Sequence, residues 1–423
     1  MLLAIIFRVL FFFLFVLLPT QLGRHFWLRD SYVFGLKIDY LSPTLYLQDL
    51  LIFFLIFISL KKKYFRFDKK FGLLTTSYLL LAALNIVFSL TPLLSFFSWL
   101  RITEFILLGI IISRRFKKAY RHLLQILPFI VVFEFCLGLF QLVKQASLGG
   151  FFWFLGERTF NLLTPGIARG QWLGRVFLRP YGTFSHPNSL AGFILVSLIL
   201  ILGKKKLLLF DKMACLAGSL LIVLCFSRTV WLTVLVFGLC FILNRLLIGL
   251  RKKTSSLNFF YVFLLLLVII VSFLFLRTKI EDSSISNRLQ LAQTSLLMIK
   301  QNPLFGVGLN NFIISLSQKN TAWQWYYWLQ PVHNVFLLIA SETGLIGLII
   351  LIAFLIFTIR RVFQFHPPNR RIKFQIVIAL LAIMFTGLFD HYWLTLIQNQ
   401  LLLVVIFGLF WGENNEVKSD KIA

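Results

Sequence analysis

The stretch that decides the fold is Pro331–Gly347, PVHNVFLLIASETGLIG. A histidine and an asparagine stand at the mouth of an apolar run that continues to about residue 357. That run is long enough to cross a hydrocarbon core of roughly 30 Å as a helix. Inside it sit Glu342 and then two glycines, Gly344 and Gly347. A carboxylate is costly in lipid, so a membrane helix that carries one has a use for it.

The same apolar texture recurs outward from this stretch. Of the 423 residues, 59% are hydrophobic and 13% are charged. The pattern predicts about twelve spans, near 2–19, 44–60, 72–90, 92–113, 123–143, 188–203, 207–226, 229–249, 257–276, 334–357, 372–389 and 397–411. Backbone polar groups cannot stay unpaired in lipid, so these read as helices. The expected fold is an all-α polytopic membrane protein, a single integral membrane domain over 1–423.

The net charge of +27 first suggests nucleic acid, but its distribution argues otherwise. Of the 42 Lys and Arg, 26 fall in short loops on one side: KKKYFRFDKK (61–70), RRFKKAYR (114–121), KKKLLLFDK (204–212), Arg245 with 251–253, RRVFQFHPPNRRIK (360–373) and the tail. An excess of short basic loops marks the cytoplasmic side and puts both termini there. Nucleic acid is therefore not an expected partner. No small-residue cleavage site follows the first span, which reads as a retained helix. Cys136, Cys215, Cys225 and Cys240 all fall within spans and read as apolar packing residues. The sequence holds no CxxC, HExxH or GxxxxGK pattern, so it points to no metal, no cofactor and no ATP-driven work.

Two outer loops, 144–187 and 277–333, are too long to be connectors. Both are rich in aromatics, in GGFFWFLGERTF (149–160) and AWQWYYWLQ (322–330). Trp323, Trp325, Tyr326, Tyr327 and Trp328 suit the lipid headgroup zone. The second loop contains NRLQLAQTSLLMIKQNP (287–303), with a helical apolar stripe at Leu289, Ala292, Leu296 and Ile299. Asn287 and Gln290 read as a cap and its partner. Arg288 then falls in the first turn, where its charge opposes the helix dipole and hints at an anion held there.

Polar residues gather on the outer side. RPYGTFSHPN (179–188) brings Arg179, His186 and Asn188, and CFSRTVW (225–231) brings Arg228. Arg288 lies in the large loop, His333 and Asn334 close it, and FDHYW (389–393) adds Asp390 and His391. Arginine forks suit phosphate and pyrophosphate, and histidine accepts protons near neutral pH. Several arginines with one histidine at a lipid–water boundary fit a lipid-linked pyrophosphate substrate. The arginines, in place of Mg²⁺, would hold the leaving pyrophosphate as charge develops, and the histidine would deprotonate an incoming hydroxyl.

Plainer readings stand beside these. An arginine at a span end is also a snorkelling anchor. Asn188 reads as the cap of the sixth span, Asp390–His391 equally as a polar turn, and Gly344 and Gly347 as aids to close helix packing. Arg101 and Glu104, three apart, satisfy each other. Glu342 lies nine residues after His333, about half a turn away on an ideal helix. It reads as a packing or pairing group, with Arg101 as one partner, and not as a catalyst.

Four segments in order carry a resemblance: RPYGTFSHPNSLAG (179–192), SRT (227–229), NRLQLAQTSLLMIKQNPLFGVGLNNF (287–312) and HNVFLLIASETGLIG (333–347). Together they resemble the O-antigen ligase/polymerase superfamily of bacterial membrane glycan transferases. The resemblance implies a metal-independent, inverting enzyme of the C-type glycosyltransferase architecture. Such an enzyme moves a glycan from undecaprenyl pyrophosphate to a hydroxyl of a glycolipid, glycan or protein, at the outer face of the bacterial cytoplasmic membrane. Carried over, His333 matches the base, and Arg228 and Arg288 match pyrophosphate-holding arginines, with Arg179 a third. His186, Asn188, Asn334, Glu342, Asp390 and His391 are supporting candidates. A ligase and a polymerase share these motifs. A transporter of lipid-linked oligosaccharide would instead predict an inverted repeat and broken polar helices near midplane, and a scaffold would make the outer arginines incidental.

Overall fold

The computed structural model describes residues 2–61, 69–172, 174–252, 267, 269–274, 282–319, 329–362 and 370–412. The aromatic run 323–328 and most of the expected span 257–276 lie outside the described residues. In chain order the helices are α1 (Leu2–Val16), α2 (Leu47–Lys61), α3 (Lys69–Val87), α4 (Pro92–Arg114), α5 (Phe116–Lys144), α6 (Phe151–Phe154), α7 (Pro187–Leu202), α8 (Leu209–Leu224) and α9 (Arg228–Lys252). There follow α10 (Asp282–Gln301), α11 (Phe312–Lys319), α12 (Val335–Val362), α13 (Arg370–Gly387), α14 (Tyr392–Thr395) and α15 (Ile397–Trp411). Among the described residues α4, α5 and α12 are long and apolar enough to cross a membrane, and six apolar helices are shorter. The chain divides into two units, one of residues 1–123, 282–377 and 387–423, the other of 124–281 and 378–386.

In the first unit α2, α3 and α15 pack on α4. Arg101 of α4 does not turn to Glu104, as the spacing predicts. It donates to both carboxylate oxygens of Asp49 in the first turn of α2, at 2.9 and 3.0 Å, and to the Thr44 carbonyl. A guanidinium fork takes the partner that offers two acceptors in line. The segment between α1 and α2 holds no α-helix, only two short 3-10 turns at Arg29–Ser31 and Asp39–Leu41. Its backbone pairs in two short antiparallel ladders, β1 (Gly23–His25) with β4 (Thr44–Tyr46) and β2 (Tyr32–Val33) with β3 (Leu36–Lys37). These ladders depart from an all-helical chain for the ordinary reason that backbone N–H and C=O groups outside helices still need partners.

The long apolar helix α12 is broken. At Gly344 of α12 the backbone turns to φ 71°, ψ −177°, a region essentially confined to glycine. The break frees backbone groups, and the segment Pro303–Gly308 takes them up. The Val307 N–H donates to the Ser341 carbonyl (2.9 Å), the Gly308 N–H to the Glu342 carbonyl (3.0 Å), and the Leu345 N–H to the Pro303 carbonyl (2.8 Å). Backbone meets backbone so closely that a Cβ on Gly306 would lie 2.5 Å from the Glu342 carbonyl carbon. Gly344 thus serves a loop docked into a helix break, not helix–helix packing. The Glu342 carboxylate is not paired with Arg101; it accepts the N–H of Phe312, the first residue of α11, at 3.2 Å.

Two buried asparagines fasten the same segment to the α3–α4 hairpin. Asn85 donates to the Phe305 and Glu342 carbonyls and accepts from Trp99 and from the Leu309 N–H. Asn311 accepts from Thr91 and donates to Ser95 and the Leu309 carbonyl. Beside it, α10 begins at Asp282, so Arg288 lies in its second turn and the argument from an opposed dipole no longer applies. The buried face of α10 is only in part the predicted stripe, of which Ala292 packs against the buried cluster. Leu291 and Met298 pack with Val307, Phe312, Leu316, Val332 and Leu338, while Leu289 and Leu296 are exposed.

In the second unit α7 is the central helix. Every residue of it but Ile199 and Leu202 is buried, and α8 and α9 pack against it. The long segment between α5 and α7 folds back as a hairpin of β5 (Arg169–Trp172) and β6 (Arg175–Leu178).

Replacing Gly344 with Ala combines a disallowed backbone conformation with a clash against the Leu304 carbonyl. The expected cost is about 2–5 kcal/mol, read as a lowered thermal midpoint in detergent. Gly109→Ala, whose Cβ meets only Val404 at 3.8 Å, should change stability by less than about 1 kcal/mol.

Candidate functional site

The predicted residues fall into two clusters, one in each unit. In the first unit, three side chains converge on three consecutive loop residues between α13 and α14. Asn334 donates to the Leu388 carbonyl at 3.0 Å, Arg288 donates to the Phe389 carbonyl at 2.9 Å, and His333 Nδ1 lies 3.4 Å from Asp390 Oδ1. Asn334 is held in turn as the cap of α12, accepting the Leu337 N–H at 2.9 Å. His333 is therefore fixed one residue ahead of a capped helix, and α10 delivers Arg288 to the same loop.

Asp390 and His391 are buried, and His333 is only partly so. Asp390 Oδ1 also accepts the His391 N–H at 2.9 Å. The rings of His333 and His391 lie 5.1 Å apart. Tyr40 meets His391 edge-on at 5.7 Å, and its carbonyl accepts from Asn310 at 2.9 Å. Burial alone would raise the Asp390 carboxyl. The hydrogen bond to His333 and the positive charges of His333, His391 and Arg288 outweigh it and hold the group well below the usual carboxylate range. Burial, with the charges of His333 and Arg288, pushes His391 down to about 3 against the opposing pull of Asp390.

In the second unit, Arg179 Nε donates to the Cys225 carbonyl at 2.7 Å and its terminal nitrogen to Asn188 Oδ1 at 2.6 Å. It thereby ties the RPYGTFSHPN segment to the end of α8. Asn188 is not the cap of α7. His186 is, its Nδ1 accepting the Asn188 N–H at 3.1 Å, because Pro187 takes the first helical position and leaves Asn188 inside the helix. Arg228 is the first residue of α9. Before it, the Ser227 hydroxyl is buried and has no hydrogen-bond partner among the described residues.

Sequence reasoning missed the groups that shape this second cluster. Gln141 accepts the N–H groups of Tyr181 and Gly182 and donates to Glu157 and the Gly182 carbonyl. Glu134 accepts the N–H and hydroxyl of Thr183 at 3.0 and 2.7 Å. Glu134, a lone carboxylate in an apolar span, was a legible signal of the same kind as Glu342. Tyr40, Asn85 and Asn311 carried none beyond their polarity.

Residues 213–352 match a family model described as O-antigen ligase. The matched range holds Arg228, Arg288, His333 and Glu342; Arg179, His186, Asn188, Asp390 and His391 lie outside it. No curated protein matches the chain.

Arg179→Ala removes two hydrogen bonds from a charged donor, a loss of about 2 kcal/mol or more for the local segment. Amide exchange over 180–188 should quicken while that of α15 stays unchanged.

Proposed function

From the match of residues 213–352 to the O-antigen ligase family model, we propose that this chain is a member of that superfamily and transfers a glycan from a polyprenyl pyrophosphate donor to an acceptor hydroxyl. The step is inverting and needs no metal, and it takes place at the outer face of a bacterial cytoplasmic membrane. The twelve-span layout with both termini cytoplasmic belongs to the same reading. The single observation that carries it is His333 beside the buried carboxylate of Asp390, with Arg288 on the same loop.

His333 is the base. Asp390 orients its imidazole and stabilises the positive charge that forms as the ring takes the acceptor's proton, the role a buried aspartate plays toward a catalytic histidine elsewhere. The 3.4 Å separation is within what a site without substrate shows before it tightens. The deprotonated oxygen attacks the anomeric carbon and the bond to the pyrophosphate oxygen breaks. The negative charge that develops on the pyrophosphate falls to arginines, whose forks match it.

Arg288 and Arg228 are assigned to that task, and Arg179 less directly, since two of its donors already hold Cys225 and Asn188. What supports Arg228 is its company: the N-terminus of α9, where backbone N–H groups favour an anion, and the buried Ser227 hydroxyl. Asn334, His186 and Asn188 position these groups, and Glu342 secures α11.

The broken helix α12 is the feature that a transporter would predict. Its freed groups are taken by Pro303–Gly308, so the break does not favour transport. A polymerase, with a growing glycan as acceptor, has the same chemistry and separates from a ligase only by acceptor.

With purified protein, polyprenyl-pyrophosphate glycan and an acceptor, His333→Ala should abolish transfer while donor binding persists. Asp390→Asn should lower kcat by about 10²–10⁴. Arg228→Ala and Arg288→Ala should weaken the donor step itself. Normal transfer by the His333 variant would sink the assignment of the base.

A further inference from the structure

His333, Asp390 and His391 each bring one ligand atom, a ring nitrogen or a carboxylate oxygen, to within 4.8 Å of the other two. Two imidazoles and one carboxylate are a donor set that borderline cations such as Zn²⁺ accept, whereas Mg²⁺ and Ca²⁺ prefer oxygen. Ligand atoms on a tetrahedral Zn²⁺ stand about 3.4 Å apart, given bonds of about 2.0–2.2 Å. The trio therefore reaches chelating geometry by small side-chain movements. Part of it is already oriented. Asp390 Oδ1 is fixed by the His391 N–H at 2.9 Å. The Thr395 hydroxyl lies 2.8 Å from His391 Nδ1 and donates to the His391 carbonyl at 3.2 Å. When the hydroxyl proton points to that carbonyl, the ring donates from Nδ1 and keeps its lone pair at Nε2, as ligating histidines with an outer partner do.

Arg288 opposes a cation here. Its guanidinium donates to the Phe389 carbonyl next to Asp390, and its charge weakens binding. That points to an exchangeable ion and not a resident one. A neutral imidazole has one lone pair. Whichever nitrogen of His333 takes the metal, the other carries the proton, and the ring can no longer accept one.

We propose that His333, Asp390 and His391 form a reversible inhibitory site for a borderline divalent cation of the Zn²⁺ type. The inhibitory part rests on the reading of His333 as the base; the binding part does not. An enzyme that needs no metal would then be one that a metal stops.

The test uses the full-length chain, free of any histidine tag, in detergent, with Co²⁺ as the spectroscopic probe and Zn²⁺ as competitor. One Co²⁺ per chain should bind, with the absorption of a low-coordinate site, and Zn²⁺ should displace it. Affinity should fall at least tenfold in Asp390→Asn and in His391→Gln, and remain in His186→Gln. Because His391 is buried, the less buried His333→Gln gives the same reading if His391→Gln fails to fold. No uptake, or uptake undiminished in all three trio variants, overturns the site. In the transfer assay Zn²⁺ should stop the wild type and a chelator should restore it fully. Uptake through the trio with transfer unaffected overturns the inhibitory role and also counts against His333 as the base. Uptake and inhibition together support both.

Discussion

The docking of Pro303–Gly308 into the break of α12 is the constraint on which the first unit depends. A helix interrupted inside a membrane protein leaves carbonyl and N–H groups without partners, and each one left buried costs about 1–3 kcal/mol. Here the interruption at Gly344 and the turn at Gly306 solve each other's problem, because neither backbone has a side chain in the way. The described residues that follow directly inherit their position from that contact. The segment leads straight into α11, whose first N–H is held by Glu342, and α10 is packed over both through Leu291 and Met298. A carboxylate within a span is thus explained without chemistry: it closes the start of a short helix.

The same anchoring gives the cluster around His333 its coherence. His333 and Asn334 stand at the start of the helix that Gly344 later breaks, and Arg288 comes from the helix that the docked segment supports. These three side chains address Leu388, Phe389 and Asp390 in turn. Residues distant in sequence are therefore held against one short loop, Asn334 and Arg288 by bonds to its backbone and His333 at the Asp390 carboxylate. Such bonds resist the side-chain rotations that would otherwise blur the distance between an imidazole and its carboxylate. In the second unit a comparable scaffold, Gln141 and Glu134 against Tyr181–Thr183, stiffens the segment that carries Arg179.

How much of this was legible beforehand follows from the physics of each feature. His333, Asp390, His391, Arg288 and Arg228 announced themselves as polar residues at the ends of, or between, apolar runs of sequence. The partners of Arg101 and Glu342 did not, because sequence spacing reveals neighbours on one helix and says nothing of Asp49 or Phe312. Asn85 and Asn311 were hidden for the same reason. The buried face of α10 was partly misjudged for a different one. In water an apolar stripe marks the core, but at a membrane the surroundings can be as apolar as the core. Leu289 and Leu296 obey the period of a helix as well as Leu291 and Met298 do, and only packing distinguishes them.

The meeting of Gly306 and Gly344 also bears on how the chain can change over time. A tight glycine is usually negotiable. At Gly218 an added methyl would press on the side chains of Val131, Leu198 and Ile194, at 2.8 to 3.2 Å, and trimming any of them makes room. At Gly306 and Gly344 the obstacle is main chain on both sides, which no second substitution can shorten. A mutation at either position has no compensating partner, so the pair can only be kept together or lost together with the bend it creates.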